Sequence, residues 1–158
     1  MFLEPFGILA SGPPDDAKLA ALLPGARELL EELSRTGLHI GLIADCDSRQ
    51  LDRMLRRLGI DSFFDSRTNA REIGAAGPDQ RIFRSALRKA GCEPRQAIFV
   101  GSSMEPGIQG ARAAGMTTVF LDAGMSRVEL EGADFVASSP ARLVKILVEL
   151  AYTGVPAD

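Results

Sequence analysis

Short apolar runs alternate with segments of helical spacing along most of the chain. Residues 38–44 form a nearly continuous apolar run, which is typical of a strand buried on both faces of a sheet. Directly after it, Asp47 and Gln50 form a capping-box-like helix start. Apolar residues then recur at helical spacing up to Gly59, so the pattern predicts one strand followed by one amphipathic helix.

The same two periodicities predict the other elements. Further strands are predicted at residues 8–10, 63–64, 97–100, 118–121 and 134–137. Further helices are predicted at residues 24–36, 79–90 and 107–114, and from Ser139 and Pro140, as N-cap and first helical residue, to about Tyr152. Strands that alternate with helices through short loops predict an α/β fold with a parallel sheet. The loops at the C-terminal ends of the strands should then converge on any ligand site.

The composition predicts one domain and excludes two classes of function. The 158 residues are 46% hydrophobic and 25% charged, which fits a single domain over residues 1–158 with a sizeable core. Because 18 basic residues stand against 21 acidic ones and the net charge is -3, no nucleic-acid partner is expected. No apolar run reaches the length that spans a membrane, so no membrane association is expected.

Two observations predict a cytoplasmic location. Residues 1–12 are apolar, but they contain Glu4 and lack a positive region, which makes a poor signal peptide. Cys46 and Cys92 lie far apart and outside any Cys-x-x-Cys pattern. We therefore expect free, buried thiols in a reducing compartment.

Four ordered blocks of the sequence carry a family resemblance. They read LLPGARELLEELSRTGLHIGLIADCDSRQLDRMLRRLGIDSFFD, GPDQRIFRSALRKAG, AIFVGSSMEPGIQGARAAGM and ADFVASSPARLVKIL. Together they resemble the core of a haloacid dehalogenase superfamily (HAD) hydrolase, from about residue 23 to residue 147. The resemblance implies a three-layer α/β/α Rossmann-like (HAD-like) sandwich with a mainly parallel sheet. Only residues 11–23 separate the first predicted strand from the next helix, so no cap domain is expected.

The resemblance also implies a reaction site. Such hydrolases transfer a phosphoryl group to an aspartate at the end of the first strand, and a second aspartate two residues later acts as acid and base. A Ser or Thr after the second strand and a Lys before the fourth hold the phosphate, while acidic residues after the fourth strand hold Mg²⁺. With Gly12 taken as the glycine of the first motif, these positions fall on Leu9, Ser11, Ala44, Gly77, Ser102 and Gly107.

None of these residues supplies the side chain that its role requires, and Asp15 and Asp16 come several residues too late to replace the aspartates. Because catalytic groups act as a unit, losing all of them predicts loss of the activity. We therefore expect a catalytically inactive HAD-like protein, a pseudoenzyme that serves as a binding, scaffold or regulatory module without catalytic residue, metal or cofactor. The alternative is a divergent HAD-type phosphohydrolase that acts on small phosphate esters and uses Mg²⁺.

Polar residues near the predicted strand ends form the candidate ligand site. They are Asp45, Asp47, Ser102, Ser103, Glu105 and Asp122. Because these loops lead into helices, whose N-terminal amides attract anions, a small anionic ligand is a candidate occupant. The carboxylates leave a rebuilt metal site open as a second interpretation. Helix or turn capping is the competing interpretation for Asp47 and the two serines.

The open loop mouth and the N-terminal apolar residues predict an interaction surface. Phe2, Leu3 and Phe6 are expected to add exposed apolar area near the sheet. A second copy of the chain, giving a homodimer, or another protein partner would cover it. His39, the only histidine, lies about 15 Å from the far end of its strand, so we expect it to be structural.

Overall fold

A six-stranded parallel sheet organises the chain. The computed structural model describes residues 1–14, 16–74, 79–122 and 132–154. Its strands are β1 (Phe2–Leu3), β2 (Ala10–Ser11), β3 (Ala21–Leu22), β4 (Gly41–Ala44), β5 (Ser66–Asn69), β6 (Ile98–Gly101), β7 (Thr117–Leu121) and β8 (Phe135–Ala137). Its α-helices are α1 (Ala26–Ser34), α2 (Ser48–Arg57), α3 (Gln80–Ala90), α4 (Gln109–Ala113) and α5 (Pro140–Thr153). The sheet order is β5-β4-β1-β6-β7-β8, and each neighbouring pair is parallel.

Two hydrophobic clusters on the two faces of the sheet make the three-layer sandwich. One cluster joins Leu3, Leu42 and Val100 to the inner faces of α1, α2 and α5. The other joins Phe2 and Phe99 to α3 and α4. Because successive strand residues point to opposite faces, neighbouring positions of one strand fall into different clusters. The predicted fold class is therefore confirmed.

The first strand of the sheet is β1, not residues 8–10, so that prediction is wrong. β1 lies at the centre, with Phe2 opposite Gly41 of β4 and Leu3 opposite Val100 of β6. Phe2 and Leu3 are only 1% and 0% exposed. They are core residues and not the exposed apolar surface that the sequence predicted, and Phe6 is partly buried against the same core.

A β-hairpin, and not a cap domain, fills the connection between β1 and α1 in the described residues. β2 pairs with β3 antiparallel. The tip of the hairpin lies against α2, where Arg57 donates hydrogen bonds to the backbone oxygens of Ala17, from Nε at 2.9 Å, and of Ala20. One cation thus joins the hairpin tip to α2 through two backbone carbonyls.

Capping signals predicted the helices well. Asp47 accepts a hydrogen bond from the Gln50 N–H at 3.0 Å, and Ser139 accepts one from the Arg142 N–H at 3.2 Å. Gly91 ends α3 in the left-handed conformation, with φ of 63°. The helix predicted at residues 107–114 is shorter, because one wide turn, Met104–Ile108, precedes α4.

The strand predicted at residues 63–64 is wrong. Asp61–Phe63 forms a 3-10 turn, and the strand that follows it, β5, has the polar sequence Ser-Arg-Thr-Asn. Among the described strands, β5 pairs with β4 alone and forms an edge of the sheet. Edge strands tolerate polar side chains, which explains why an apolar pattern did not reveal it. None of the helices in the described ranges combines the length and the apolarity needed to cross a bilayer.

Candidate functional site

The C-terminal ends of β1, β4 and β6 meet at one cavity of about 260 Å³. Polar groups on its wall come from Glu4, Asp45, Ser102 and Ser103. The apolar part of the wall consists of Phe6, Ile43, Ala44, Ala70, Ile82, Phe83 and Phe99 together with Pro5 and Pro106. The cavity therefore offers a few polar groups on a largely apolar surface, which is the usual make-up of a small-molecule site.

Glu4 is the carboxylate at the centre of this mouth, and the sequence analysis missed it. Its backbone N–H donates to the Val100 oxygen at 3.0 Å, which continues the pairing of β1 with β6. Its Oε2 accepts a hydrogen bond from the Ser102 N–H at 3.0 Å. The sheet and the loop after β6 thus fix both ends of the residue.

Two glycines make room for the Glu4 carboxyl. A β-carbon built at Gly107 would overlap Oε1 of Glu4 and stand 3.2 Å from its Cδ. A β-carbon at Gly101 would stand 3.1 Å from Cδ. Gly107 is also the position at which the family resemblance implies an acidic residue. The mouth therefore contains a carboxylate, but this carboxylate belongs to Glu4, which follows β1, and not to the loop after β6.

Burial raises the pKa of Glu4 to about 7, against a partly opposing effect of the Ser102 N–H hydrogen bond. The apolar wall lowers the local polarity, and this disfavours the charged form of a carboxyl. Glu4 is thus partly protonated at neutral pH. A group with such a pKa can both give and accept a proton under physiological conditions.

The first motif of the resemblance belongs at Gly7 and not at Gly12. Gly7 has φ of 82°, and a β-carbon there would overlap the Ser102 hydroxyl, so only glycine fits. The two aspartate positions then move from Leu9 and Ser11 to Glu4 and Phe6. The spacing of three positions from Glu4 to Gly7 is the sequence signal that would have revealed this.

The structure brings together three of the six predicted ligand residues: Asp45, Ser102 and Ser103 line the cavity. Asp45 is exposed, and its Oδ1 lies 3.5 Å from Nε of Arg71. The Ser102 hydroxyl donates to the Phe6 carbonyl oxygen at 3.3 Å, and the Ser103 hydroxyl donates to the Glu105 carbonyl oxygen.

The other three predicted residues lie outside the described cavity wall. Asp47 caps α2, as its competing interpretation predicted. Glu105 is exposed, and Asp122 continues the pairing of β7 with β8 through its N–H to Ala137 oxygen at 2.8 Å. Gly77, Asp15 and residues 123–126 of the last predicted loop lie outside the described residues.

His39 and the two cysteines are not in this cavity wall. The Nε2 atom of His39 lies 2.8 Å from the Ser66 hydroxyl, at the start of β5 and thus at the other end of the sheet. Neither Cys46 nor Cys92 is in a disulfide, and Cys46 is buried whereas Cys92 is partly buried.

Asn69 holds the loop that carries Asp45. Asn69 is 3% exposed, its Nδ2 donates to the Cys46 oxygen at 2.7 Å, and its Oδ1 accepts from the Arg71 N–H at 3.1 Å. Asn69→Ala should lower the free energy of unfolding by about 1–3 kcal/mol, because the buried carbonyl and N–H lose their partner. Urea denaturation measures the change. Asn69→Asp is the matched variant, since it keeps the acceptor and loses the donor, and a fully stable Asn69→Ala chain would contradict the assignment.

A family model described as haloacid dehalogenase-like hydrolase matches residues 14–121, well over half of the chain. The chain belongs to the haloacid dehalogenase-like hydrolases. The matched range begins after β1, so that Glu4 and Gly7 of this HAD-like hydrolase lie outside it.

Curated relatives of this HAD-like hydrolase are named as phosphatases. A glyceraldehyde 3-phosphate phosphatase from Methanopyrus kandleri is 32% identical over 143 residues, which cover 86% of this chain and 61% of that protein. A ribulose-1,5-bisphosphate 5-phosphatase from Halopiger xanaduensis is 30% identical over 118 residues, which cover 75% of this chain and 49% of that protein. The chain spans about half the length of the curated relatives it matches.

Solved structures agree with the fold. A HAD phosphatase from Thermococcus onnurineus has a TM-score of 0.75 at 27% identity, over 83% of this chain and 60% of that one. An uncharacterized protein from Listeria monocytogenes serotype 4b has a TM-score of 0.79 at 22% identity, over 96% of this chain and 97% of that one. The second likeness supports the fold alone.

The prediction of a catalytically inactive HAD-like protein is wrong. The finding against it is that relatives matching most of the chain are named glyceraldehyde 3-phosphate phosphatase and ribulose-1,5-bisphosphate 5-phosphatase. The physical source of the error is the misplaced first strand, which hid the carboxylate of Glu4. The findings favour the alternative, a phosphohydrolase.

The described residues of the mouth do not fit the Mg²⁺ ion that the family resemblance implies. Mg²⁺ prefers several oxygen ligands, carboxylates among them, in near-octahedral geometry. Within the described ranges, no three Asp, Glu, His or Cys side chains form a group that could hold a metal ion. The implied acidic positions are Ser102 and Gly107, and the Ser102 hydroxyl is hydrogen-bonded to the Phe6 carbonyl.

Proposed function

We propose that this chain hydrolyses small phosphate esters in the cavity at the ends of β1, β4 and β6, with Glu4 as the proton carrier. The observation that carries the proposal is the position of the Glu4 carboxyl, which follows the central strand and lines the cavity. The phosphatase names of the relatives support the choice of phosphate esters as the substrate class.

The neutral form of Glu4 is the form that suits a phosphate ester. An ionised carboxylate would repel the phosphate oxygens, whereas a neutral carboxyl donates a hydrogen bond to one of them. The Ser102 and Ser103 hydroxyl groups already donate their protons to the Phe6 and Glu105 carbonyl oxygens. Binding of the phosphate end at this wall therefore depends on the neutral Glu4 carboxyl.

The hydrolysis step requires one proton transfer in each direction. Glu4 gives its proton to the ester oxygen while the bond from that oxygen to phosphorus breaks, and the alcohol leaves. A water molecule adds to phosphorus as hydroxyl, and its other proton returns to Glu4. Protons and electron pairs balance, and inorganic phosphate and the alcohol are the only products.

The turnover number should fall as the pH rises through about 7, the pKa to which burial raises Glu4. Below that pH the acid form predominates, and above it the rate should decrease about tenfold per pH unit because the proton donor is lost. The measurement is the turnover number from about pH 5 to about pH 9 at constant ionic strength. A rate that increases across pH 7 would exclude Glu4 as the acid.

The direct test is the release of inorganic phosphate from p-nitrophenyl phosphate, glyceraldehyde 3-phosphate and other small esters. Wild-type protein is compared with Glu4→Gln and with Glu28→Gln, which makes the same chemical change at an exposed position of α1. We expect turnover in the wild type and in Glu28→Gln. Absence of turnover with every ester, or full turnover in Glu4→Gln, would contradict the proposal.

A further inference from the structure

We propose that this cavity takes no divalent cation, because the Glu4 carboxyl and the Ser102 hydroxyl fill and bridge the part of the mouth where the family resemblance implies the ion. This absence of a cation rests on the proposed function and means that the proposed reaction site works without a divalent metal ion. Its main test is a binding measurement, which does not depend on turnover.

The Glu4 carboxyl occupies space that side chains at positions 101 and 107 would need. Its Oε1 takes up the volume in which a β-carbon of Gly107 would lie, and its Cδ and Oε2 each stand 3.1 Å from the corresponding position at Gly101. An acidic side chain at position 107 would therefore collide with Glu4. The two arrangements are mutually exclusive, and in this chain the carboxyl at that point comes from Glu4.

Other oxygen atoms at this part of the mouth are already engaged in hydrogen bonds. The Phe6 carbonyl oxygen accepts a hydrogen bond from the Ser102 hydroxyl at 3.3 Å, and Glu4 Oε2 accepts one from the Ser102 N–H at 3.0 Å. A cation at this point would have to displace one hydrogen bond and compete with another. The two bonds also join the segment after β1 to the loop after β6, so they keep the mouth at its present width.

The charges of the described cavity wall also disfavour a bound cation. A cation site needs anionic ligands close together, and among residues 1–14, 16–74, 79–122 and 132–154 no such group of three occurs. Asp45, the other acidic residue of the cavity wall, is exposed and lies 3.5 Å from the Arg71 guanidinium. The described part of the cavity wall therefore lacks the cluster of anionic ligands that a divalent cation requires.

The test is a calorimetric titration of Mg²⁺ into the purified chain, to about 1 mM, the upper range for weak protein sites of hard divalent cations. We expect no saturable heat from the wild type. Ser102→Asp is the positive control, because it adds a carboxylate beside Glu4 and the Phe6 carbonyl and should gain a saturable heat. Stoichiometric binding by the wild type would overturn the inference.

Turnover gives the second readout. If the proposed function holds, treatment with EDTA should change the rate of ester hydrolysis by less than about twofold, whereas a catalytic metal contributes about 100-fold or more. A loss of that size, restored by Mg²⁺, would overturn the inference and leave the proposed function standing. Absence of turnover with and without Mg²⁺, together with no Mg²⁺ heat, would contradict the proposed function and support a mouth without a metal.

Discussion

Glu4→Gln should reduce the rate of phosphate-ester hydrolysis by about 100-fold or more, the usual contribution of a positioned acid, while making the folded chain more stable at pH 8. Gln retains the length of the side chain and an oxygen that accepts the Ser102 N–H. It cannot give a proton to a leaving oxygen. The substitution therefore removes the proposed chemistry and leaves the shape of the mouth.

The gain in stability follows from the raised pKa of Glu4. The ordinary pKa of a glutamate is 4.5, and burial raises the pKa of Glu4 to about 7 in the folded chain. Between these values the folded chain binds more protons at Glu4 than the unfolded chain does, so rising pH costs folding free energy. The cost is complete above about pH 7 and amounts to about 3 kcal/mol at most. Gln has no proton to lose and avoids this cost.

Urea denaturation of wild type and Glu4→Gln at pH 5 and at pH 8 measures the effect. The difference in unfolding free energy should be small at pH 5 and favour Glu4→Gln at pH 8. Glu28→Gln, at an exposed position, should show neither this difference nor the loss of activity. Equal free energies of unfolding for wild type and Glu4→Gln at both pH values would show that burial does not raise the pKa of Glu4.

Gly107→Ala should reduce turnover by about 100-fold, because its new methyl group would displace the Glu4 carboxyl. The β-carbon would overlap Oε1 of Glu4, and a shift of about 1 Å at a reacting group costs rates of this order. Gly107 is not among the glycines with positive φ, so alanine fits the backbone there. The measurement is the turnover number together with its pH profile, which should move towards lower pH as the carboxyl moves towards solvent.

The control for Gly107→Ala is the same substitution made in a protein that also carries Glu4→Asp. Shortening the side chain by one methylene vacates the volume in which the new methyl group lies. Gly107→Ala should therefore cost much less turnover in the Glu4→Asp background than in the wild type, and the double-mutant cycle measures the coupling. Equal costs in both backgrounds would show that the methyl group acts on something other than Glu4.

The helices and the inner strands could be predicted because local signals fix them. Asp47 and Ser139 act as caps at the positions where the sequence placed them, and Gly91 ends the helix that was predicted at residues 79–90. The run before Asp45 is apolar because β4 has neighbours on both sides and layers on both faces. Local chemistry and tertiary position agree in these segments.

The site could not be predicted in the same way. β1 has two residues, Phe2 and Leu3, and a pattern of period two needs more positions than that to be recognised. Glu4 follows β1 within an apolar N-terminal segment, and in the sequence it indicated only that this segment is a poor signal peptide. Its fit depends on Gly101 and Gly107, which are remote in sequence, so that no local rule connects them with Glu4.

The link between the hairpin tip and α2 has a mechanical consequence for the mouth. Arg57, the last residue of α2, donates hydrogen bonds to the carbonyl oxygens of Ala17 and Ala20. The first turn of the same helix directly follows the loop that contains Asp45. A ten-residue helix is a stiff rod of about 15 Å. The hairpin tip and the loop of Asp45 are therefore attached to opposite ends of one rigid helix, and a displacement of the hairpin tip has to carry α2 with it or break the two hydrogen bonds of Arg57.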